Sequence, residues 1–380
     1  MPNRNKILLV PEFSSFGGTR SYFKALLKLY SSQNYEVVIA LCKYQLDDDI
    51  KSLLKQYKYK VYLIPSREEG IKKYLRYFPI NLFFDIIYIF PIYRKEKPSL
   101  IVISNGTPGM FIGLILFPVN FIYTFHTYPL KGKFIFLATL QKLFLSLCLN
   151  RGKIIITVSE YSKEQIVNFW VPRVKSNHIG VIYNSVKEEL FIDDLSQKKH
   201  VDVHRILTLG HVTWYKNPKL WIEVAQEVIR QRPNIPLEFI WAGEGNLLDE
   251  CKEMVKQIEF IKFIGYQSKV DSLYNESTIY FQPSLLENHS ISVVEAMAHG
   301  LPCVTSDSGG LPESVVNGET GFTCSADNVN CFVSCIVRLL DDNELRTRMG
   351  HSGRLRAETL FSEEVQHQKM INLYTSLLHQ

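Results

Sequence analysis

Two glutamates, Glu287 and Glu295, lie eight positions apart in the segment ENHSISVVE of this 380-residue chain. A short apolar run at 279–282 has the character of a buried strand, and an apolar helical pattern follows over 290–299. We therefore expect Glu287 in the loop at the carboxyl end of the strand and Glu295 on the second helical turn. Both carboxylates can accept hydrogen bonds from hydroxyl groups, whereas the helix N-terminus between them favours an anion.

A ligand with a phosphate in its middle and hydroxyl-bearing sugars at both ends fits this pattern, and a nucleotide-sugar has that shape. Ser290 is the candidate N-cap of the helix. Purely structural explanations remain open. Glu287 is also an acid that the helix dipole favours, and Glu295 is also a plausible surface residue.

Lys216 is a second candidate for phosphate chemistry. It precedes Asn217 and Pro218, which have the types expected at the N-cap and at the first position of a helix. A cation before the positive end of a helix dipole is mildly unfavourable unless an anion lies nearby. A bound phosphate would remove this conflict, and an ordinary exposed lysine is the alternative.

Glycines follow three of the predicted strands. Gly17 and Gly18 precede a helix, Gly243 ends the segment IWAG, and Tyr266 follows the glycine of FIGY. Glycine lets the backbone approach a ligand closely, and amides at a helix N-terminus favour an anion. A plain turn explains each of these glycines about as well.

The composition, 46% hydrophobic and 21% charged, is that of a globular protein, and the length favours two α/β domains. The apolar windows at 78–93 and 109–125 are interrupted and too short for a transmembrane helix, and the N-terminus resembles a first strand more than a signal peptide. Seven cysteines form no C-x-x-C pair, which favours reduced thiols in the cytosol, with Cys331 and Cys335 packed in a core.

The net charge of +5 conceals an asymmetry, because residues 1–190 carry +13 and residues 191–380 carry −8. Acids are absent from residues 97–159. The N-terminal half therefore favours an anionic partner. Its aromatic and basic segments at 71–94 and 128–153 suit an anionic membrane surface or a lipid carrying phosphate. A solvated face is the alternative, and nucleic acid is disfavoured because no binding motif is present.

Apolar β-type runs alternate with amphipathic helical patterns along the whole chain, which predicts two doubly wound α/β units with parallel sheets. The polar stretch 186–204 suits a linker between them. The predicted strands span 6–10, 36–41, 61–64, 100–103, 121–125, 153–158, 205–209, 237–241, 261–264, 279–282 and 302–305. Ligands of such sheets bind at the carboxyl ends of the strands.

These segments together resemble the retaining glycosyltransferases of family 4, which have the GT-B fold. The resemblance rests on ENHSISVVE with its continuation AMAHGLPCVTSDSGGLPESVVNGETGF, on LGHVTWYKN, WAGEG, FIGY, TVSEYSKEQI, VIYNSV and FGGTR. It implies two Rossmann-like domains facing across a cleft. Residues 1–185 would bind the acceptor, residues 186–363 the nucleotide-sugar, and residues 364–380 would form a helix returning to the N-terminal domain.

The resemblance also implies roles for individual residues. Glu295 would bind the ribose hydroxyls, Glu287 the donor sugar, Lys216 the diphosphate, and the amides of Ser290 and Ile291 the phosphates. Gly17 and Gly18 would approach the phosphates from the N-terminal domain, and His126 would border the donor sugar. The donor-binding set is completed by His211, Gly243 and Tyr266, and the expected catalytic residues are Glu287, Lys216 and His126.

The expected activity is transfer of a hexose-type sugar from a nucleotide-sugar, by default a UDP-sugar, to a saccharide or lipid-linked saccharide at the cytosolic membrane face. Neither a cofactor nor a metal ion is expected. His211 departs from the family pattern, which usually has arginine there, and it weakens the expected diphosphate clamp. A non-catalytic nucleotide-sugar-binding subunit, or a GT-B enzyme such as a sugar-nucleotide epimerase, is the alternative.

Overall fold

The computed structural model describes residues 6–13, 17–33, 35–65, 80–105, 111–127, 135–150, 152–169, 171, 173–191 and 203–378. The chain forms two compact units, Met1–Tyr183 with His367–Gln380 and Asn184–Gln366. Parts of the expected linker and of the two aromatic, basic segments fall at 192–202, 71–79 and 128–134, which lie outside the described residues.

Seven parallel strands form the sheet of the N-terminal unit. They are β1 (Lys6–Pro11), β2 (Glu36–Cys42), β3 (Lys60–Ile64), β4 (Leu100–Asn105), β5 (Asn120–Phe125), β6 (Lys153–Thr157) and β7 (Ile179–Val181). Their order across the sheet is β3-β2-β1-β4-β5-β6-β7. The central strands are continuous apolar runs, because helices cover both faces of a parallel sheet.

The α-helices between and after these strands, up to residue 183, are α1 (Gly18–Ser32), α2 (Asp48–Gln56), α3 (Ile80–Phe84), α4 (Phe90–Glu96), α5 (Ile135–Cys148) and α6 (Glu160–Phe169). A π-helical segment, Asp85–Ile89, joins α3 to α4. Helix α1 buries an apolar stripe that comprises Tyr22, Phe23, Leu26, Leu27 and Tyr30. The opposite face of the sheet packs against side chains from α3 to α6.

Six parallel strands form the sheet of the C-terminal unit. They are β8 (His204–Leu209), β9 (Leu237–Ala242), β10 (Ile261–Gly265), β11 (Ile279–Gln282), β12 (Cys303–Ser306) and β13 (Gly321–Cys324). Their order is β10-β9-β8-β11-β12-β13. The chain adds strands outward from β8 in one direction and outward from β11 in the other, so the loops after these two neighbours diverge.

The remaining helices are α7 (Pro218–Gln231), α8 (Leu248–Met254), α9 (Asp271–Asn275), α10 (Ile291–Ala298), α11 (Leu311–Ser314), α12 (Val329–Asp341), α13 (Asn343–Phe361) and α14 (Glu363–Leu378). Trp221 of α7 is fully buried and lies edge-on to Trp241 of β9, with 5.3 Å between ring centroids. Its indole nitrogen donates to Thr208 Oγ1 at 2.7 Å, which fixes α7 against β8.

The C-terminal end of α14 packs within the N-terminal unit. Met370, Tyr374 and Leu377 are buried in the same cluster as α1, and the hydroxyls of Tyr374 and Tyr30 lie 2.7 Å apart. Among the helices of the described residues, each is too short or too polar to cross a membrane.

The prediction of two doubly wound α/β units is confirmed, and each of the eleven predicted strands is present. The sequence analysis missed β7 and β13, which have three and four residues. The three residues of β7 are too few to show a strand pattern, and β13, with the sequence GFTC, has glycine and threonine in place of a continuous apolar run.

The expectation of reduced thiols is wrong for one pair, because Cys324 and Cys331 form a disulfide. Cys324 ends β13 and Cys331 lies in the first turn of α12. The turn between these elements brings the two Cα atoms to 5.9 Å, within the range of a disulfide. The C-x6-C spacing alone did not reveal this proximity. Cys331 and Cys335 do pack against the apolar core, as expected.

Candidate functional site

Strands β8 and β11 are neighbours in the sheet, and the loops after them carry Lys216 and Glu287. These two side chains meet at the carboxyl ends of the strands. Lys216 Nζ forms an ion pair with Glu287 Oε2, and the side chains are only 11% and 15% exposed. The alternative of an ordinary exposed lysine is therefore wrong. The positive charge before helix α7 is balanced by a carboxylate at the neighbouring strand end.

The backbone around Glu287 is tightly held. Leu285 N donates to Tyr215 O at 2.7 Å, so this loop is attached next to Lys216. Gly310 N donates to Glu287 O at 3.1 Å. Gly309 has φ +64°, and a Cβ there would overlap the Glu287 carbonyl oxygen, so this close approach requires glycine.

Gln282, the last residue of β11, is only 1% exposed and holds the Glu287 carboxylate in place. Its Oε1 accepts from the hydroxyls of Tyr280, Ser290 and Ser292 at 3.0, 3.1 and 3.3 Å. These donors orient the amide so that its Nε2 donates to Glu287 Oε2 at 3.0 Å. The sequence analysis missed Gln282, although a glutamine at the end of an apolar strand was a usable signal.

Helix α10 begins directly after Glu287 and its loop. Ser290 holds the N-cap position as expected, but its hydroxyl donates to Gln282, and the described residues show no capping bond from its side chain. The prediction of a serine cap is therefore correct in position and wrong in bonding. The amides at Ser290 and Ile291 lie at the positive end of α10.

Asn217 shows a similar difference between position and bonding. It is the N-cap residue of α7 but adopts the left-handed conformation, with φ +59°. Its side-chain amide donates to Ala326 O at 3.0 Å rather than serving helix α7. Asn217 therefore ties the turn after Lys216 to the segment that follows β13.

Glu295 lies on the second turn of α10, as expected, and its Oε2 accepts from the Tyr274 hydroxyl at 2.8 Å. Tyr274 is fully buried and stacks on His299 at 4.7 Å. Burial raises the pKa of the Glu295 carboxyl to about 7, whereas the Tyr274 hydrogen bond lowers it. Glu295 is partly buried and hydrogen-bonded, so the alternative of a fully exposed surface glutamate is wrong. The sequence analysis did not identify Tyr274.

Glycines at the carboxyl ends of β8, β9 and β10 let these chain segments run closely side by side. Gly243 has φ +154°, and a Cβ on it would overlap Gly210 O, which also accepts from Trp241 Nε1 at 2.9 Å. Gly243 N donates to Gly265 O at 2.8 Å. Tyr266, which is 55% exposed, follows on the surface, and its amide donates to Glu244 Oε1 at 3.1 Å.

His211 lies between β8 and Lys216 in the chain and is electrostatically coupled to the ion pair. Burial lowers its pKa, Lys216 lowers it further, and Glu287 raises it. The imidazole is therefore neutral near pH 7, and Lys216 remains the positive charge of this loop.

Three of the predicted site residues belong to the N-terminal unit. Gly17 has φ +107° and precedes α1, which begins at Gly18. His126 follows β5, and its Nε2 lies 3.2 Å from Ser104 Oγ at the end of β4. Burial lowers the pKa of His126 to about 4, so it is neutral at physiological pH.

The residues of the C-terminal unit thus form one candidate site. It combines a lysine, a helix N-terminus and two carboxylates, which suit a diphosphate flanked by hydroxyl-bearing groups. Within the described ranges, one group of side chains could hold a metal ion. It consists of Cys324, Cys331 and Cys335 and lies outside this site.

Comparison with known proteins assigns both halves of the chain to glycosyltransferase families. Residues 192–356 match the family model of glycosyl transferases group 1, and residues 16–190 match that of glycosyltransferase family 4. The two matches together cover both halves of the chain. The fold and the site define a nucleotide-sugar enzyme of two Rossmann-like units, and the chain belongs to the group 1 glycosyltransferases of the GT-B fold.

Three relatives illustrate the likeness. A capsular polysaccharide biosynthesis glycosyltransferase, CapM of Staphylococcus aureus, is 27% identical over 86% of this chain and 87% of its own. An Escherichia coli UDP-Gal:alpha-D-GlcNAc-diphosphoundecaprenol alpha-1,3-galactosyltransferase is 23% identical over 68% and 71%. The structure of HepE from Anabaena with UDP and glucose has a TM-score of 0.74 at 17% identity, covering 98% and 99%.

Proposed function

We propose that this glycosyltransferase moves a hexose-type sugar from a UDP-sugar to a saccharide or lipid-linked saccharide, with retention of anomeric configuration and without a metal ion, in polysaccharide synthesis. The observation that carries the proposal is the joining of Lys216 and Glu287 beside the N-terminus of α10. This arrangement offers fixed positive potential next to a carboxylate that can hold sugar hydroxyls.

Departure of the nucleoside diphosphate places negative charge on its outer phosphate. Lys216 and the amides at Ser290 and Ile291 would stabilise that charge in place of a metal ion. Glu295 would accept hydrogen bonds from the ribose hydroxyls.

The bonding of Glu287 favours a binding role over a nucleophilic one. Its Oε2 already accepts from Lys216 and Gln282, and these bonds stabilise the carboxylate and reduce its nucleophilicity. In the proposed mechanism the acceptor attacks on the face that the leaving group vacates. Because the acceptor attacks the sugar directly, no covalent sugar–enzyme intermediate forms. The departing phosphate takes the acceptor's proton.

Three observations support the assignment of UDP as the donor nucleotide. The HepE structure contains UDP, and the name of the E. coli relative includes UDP-Gal. In this chain, the exposed ring of Tyr266 directly follows Gly265 at the end of β10, where it would stack on a base.

An anionic lipid surface is proposed as the place where the acceptor is met. One face of the N-terminal unit exposes seven large apolar side chains from α3 to α5, which we term the apolar patch: Phe83, Ile86, Ile87, Phe90, Leu116, Leu143 and Leu147. Exposed Arg94, Lys95 and Lys97 lie at the end of α4 beside it. Apolar side chains bordered by bases suit insertion beneath anionic headgroups.

The main alternative is a non-catalytic nucleotide-sugar-binding subunit. His211, which is neutral where the family usually has arginine, is the observation that favours it. A GT-B enzyme of another chemistry, such as an epimerase, is less well supported because both family models describe glycosyltransferases.

The proposal is tested by incubating the full chain with UDP-glucose, UDP-galactose or GDP-mannose in EDTA and following the anomeric proton of the released sugar by NMR. We expect turnover of a UDP-sugar, with the anomer of the donor appearing first. Binding of nucleotide without turnover, whether or not an acceptor is added, would favour a non-catalytic nucleotide-sugar-binding subunit. Initial release of the opposite anomer would exclude retention.

A further inference from the structure

The strand–turn–helix connection from β13 to α12 gathers three sulfur atoms outside the glycosyltransferase site. Cys324 ends β13, and Cys331 and Cys335 lie one turn apart on the same face of α12. The three sulfur atoms all lie within 4.8 Å of one another. Cys324 and Cys331 form the disulfide, and Cys335 Sγ lies 3.8 Å from Cys324 Sγ.

The spacing of these sulfurs matches that of thiolates sharing one metal ion. With Zn–S bonds of about 2.3 Å at tetrahedral angles, two sulfurs on the same ion lie about 3.8 Å apart. The Cys324–Cys335 pair already has this separation. Once its bond to Cys324 is broken, Cys331 Sγ needs only a small displacement to complete the triangle.

The N-terminus of α12 favours negative charge on the sulfur of Cys331. Cys331 lies in the first turn of α12, where the helix dipole stabilises a thiolate, and its amide donates to the capping side chain of Asn328 at 3.0 Å. Cys331 and Cys335 are partly exposed, so an ion can reach them.

We propose that reduction of the Cys324–Cys331 disulfide converts this cluster into a site for one Zn²⁺ ion, with three thiolates as ligands and water in the fourth position. A dithiol supplies the two electrons and two protons, and is itself oxidised to a cyclic disulfide. Zn²⁺ then displaces the protons of Cys324, Cys331 and Cys335 as the three Zn–S bonds form. The site is independent of the proposed transfer reaction.

This position has a structural connection to the loop that carries Lys216. The segment after Cys324 includes Ala326, whose carbonyl accepts from Asn217, the neighbour of Lys216 in sequence. Either the disulfide or the metal ion would hold β13 to α12 at this point. The cluster therefore has two closed forms, one oxidised and one metal-bound, and one open reduced form.

The test uses the full chain, reduced with dithiothreitol and freed of it by anaerobic gel filtration. Co²⁺ is titrated as a spectroscopic probe, and Zn²⁺ is then added in competition. We expect near-ultraviolet thiolate-to-Co²⁺ absorption that saturates at one ion per chain and is abolished by Zn²⁺. The unreduced chain should show none of this absorption.

Two variants and a control locate the ion. Cys335→Ser preserves both disulfide cysteines, and Cys331→Ser removes one ligand; each should weaken Zn²⁺ binding at least tenfold. Cys148→Ser, at the end of α5 in the N-terminal unit, should not change it. Absence of the absorption in the reduced wild-type chain would overturn the proposal, as would equal binding by Cys335→Ser.

Discussion

At the scale of single residues, the Lys216–Glu287 pair shows how far sequence reasoning reached. The sequence indicated that Lys216 needs a nearby negative charge and that Glu287 lies at a strand end. It did not show that these residues meet, because the order of strands in the sheet determines which loops are neighbours. Gln282 was missed for a related reason: its three hydroxyl donors come together only in the folded unit.

The first prediction concerns Lys216. Replacing it with alanine removes the only side-chain cation assigned to the diphosphate, so turnover should fall by about 10²–10³. Lys219→Ala is the matched control, because Lys219 lies on the first turn of α7 and pairs with Glu250. Initial rates of donor turnover measure both. An unchanged rate in Lys216→Ala would remove Lys216 from the mechanism.

The second prediction concerns the ionisation of Glu295, whose pKa is about 7. The ionised carboxylate accepts from ribose hydroxyls better than the neutral acid does, so UDP affinity should rise about tenfold from pH 6 to pH 8. Glu295→Gln should lack this component. The ratio of wild-type to variant affinity, measured by titration calorimetry at each pH, cancels the ionisation of UDP itself. A ratio that is independent of pH would contradict the role of Glu295.

The same ionisation affects stability with the opposite sign. The folded pKa of Glu295 lies above the ordinary value of 4.5, so the folded chain retains a proton that the unfolded chain loses. The contribution of Glu295 to stability therefore decreases as the pH rises from about 4.5 to about 7. Higher pH thus favours the proposed ribose contact while it weakens the fold locally.

At the scale of elements, strands and helices were predictable where the pattern extends over several residues. The buried stripe of α7 is visible in the sequence, because Trp221 and its apolar neighbours recur with helical spacing. The bonding of the caps was not predictable. Asn217 and Ser290 occupy the cap positions, yet tertiary partners, Ala326 and Gln282, take their side chains.

The close packing of strand ends leads to the third prediction. Gly243→Ala places a methyl group against Gly210 O at φ +154°, whereas Gly318→Ala at φ +81° meets no atom within 4 Å in the described residues. Both variants incur the backbone cost of about 1–3 kcal/mol. Only Gly243→Ala adds a steric clash, so its midpoint of urea unfolding should be clearly lower. Equal midpoints would refute the requirement for close approach at Gly243.

At the scale of the whole molecule, the sequence predicted the two α/β units and their opposite charges. The apolar patch was only partly predictable. The sequence showed aromatic residues among bases, whereas the structure shows which of them are exposed on one face and which, such as Phe84 and Ile89, are buried. Helical and sheet packing determines that division, and composition alone does not specify it.

The fourth prediction tests this patch. The chain should co-sediment with phosphatidylglycerol vesicles more than with phosphatidylcholine vesicles, and less as salt rises, because screening weakens attraction to the headgroups. Leu147→Glu should reduce binding, since Leu147 is 75% exposed within the patch. Leu355→Glu is the control, because Leu355 is 58% exposed on α13 of the other unit. Equal vesicle binding by both variants would exclude the apolar patch as the membrane-binding surface.

The proposed function requires the C-terminal unit to bind a nucleoside diphosphate with Glu295 on the ribose and without a metal ion. Its most direct test is calorimetric titration of UDP, GDP and ADP into the wild-type chain and into Glu295→Ala, in EDTA. We predict selective binding of UDP by the wild-type chain and clearly weaker binding by Glu295→Ala. Failure of all three nucleotides to bind, or equal UDP affinity in both proteins, would show that the site does not hold the donor nucleotide as proposed.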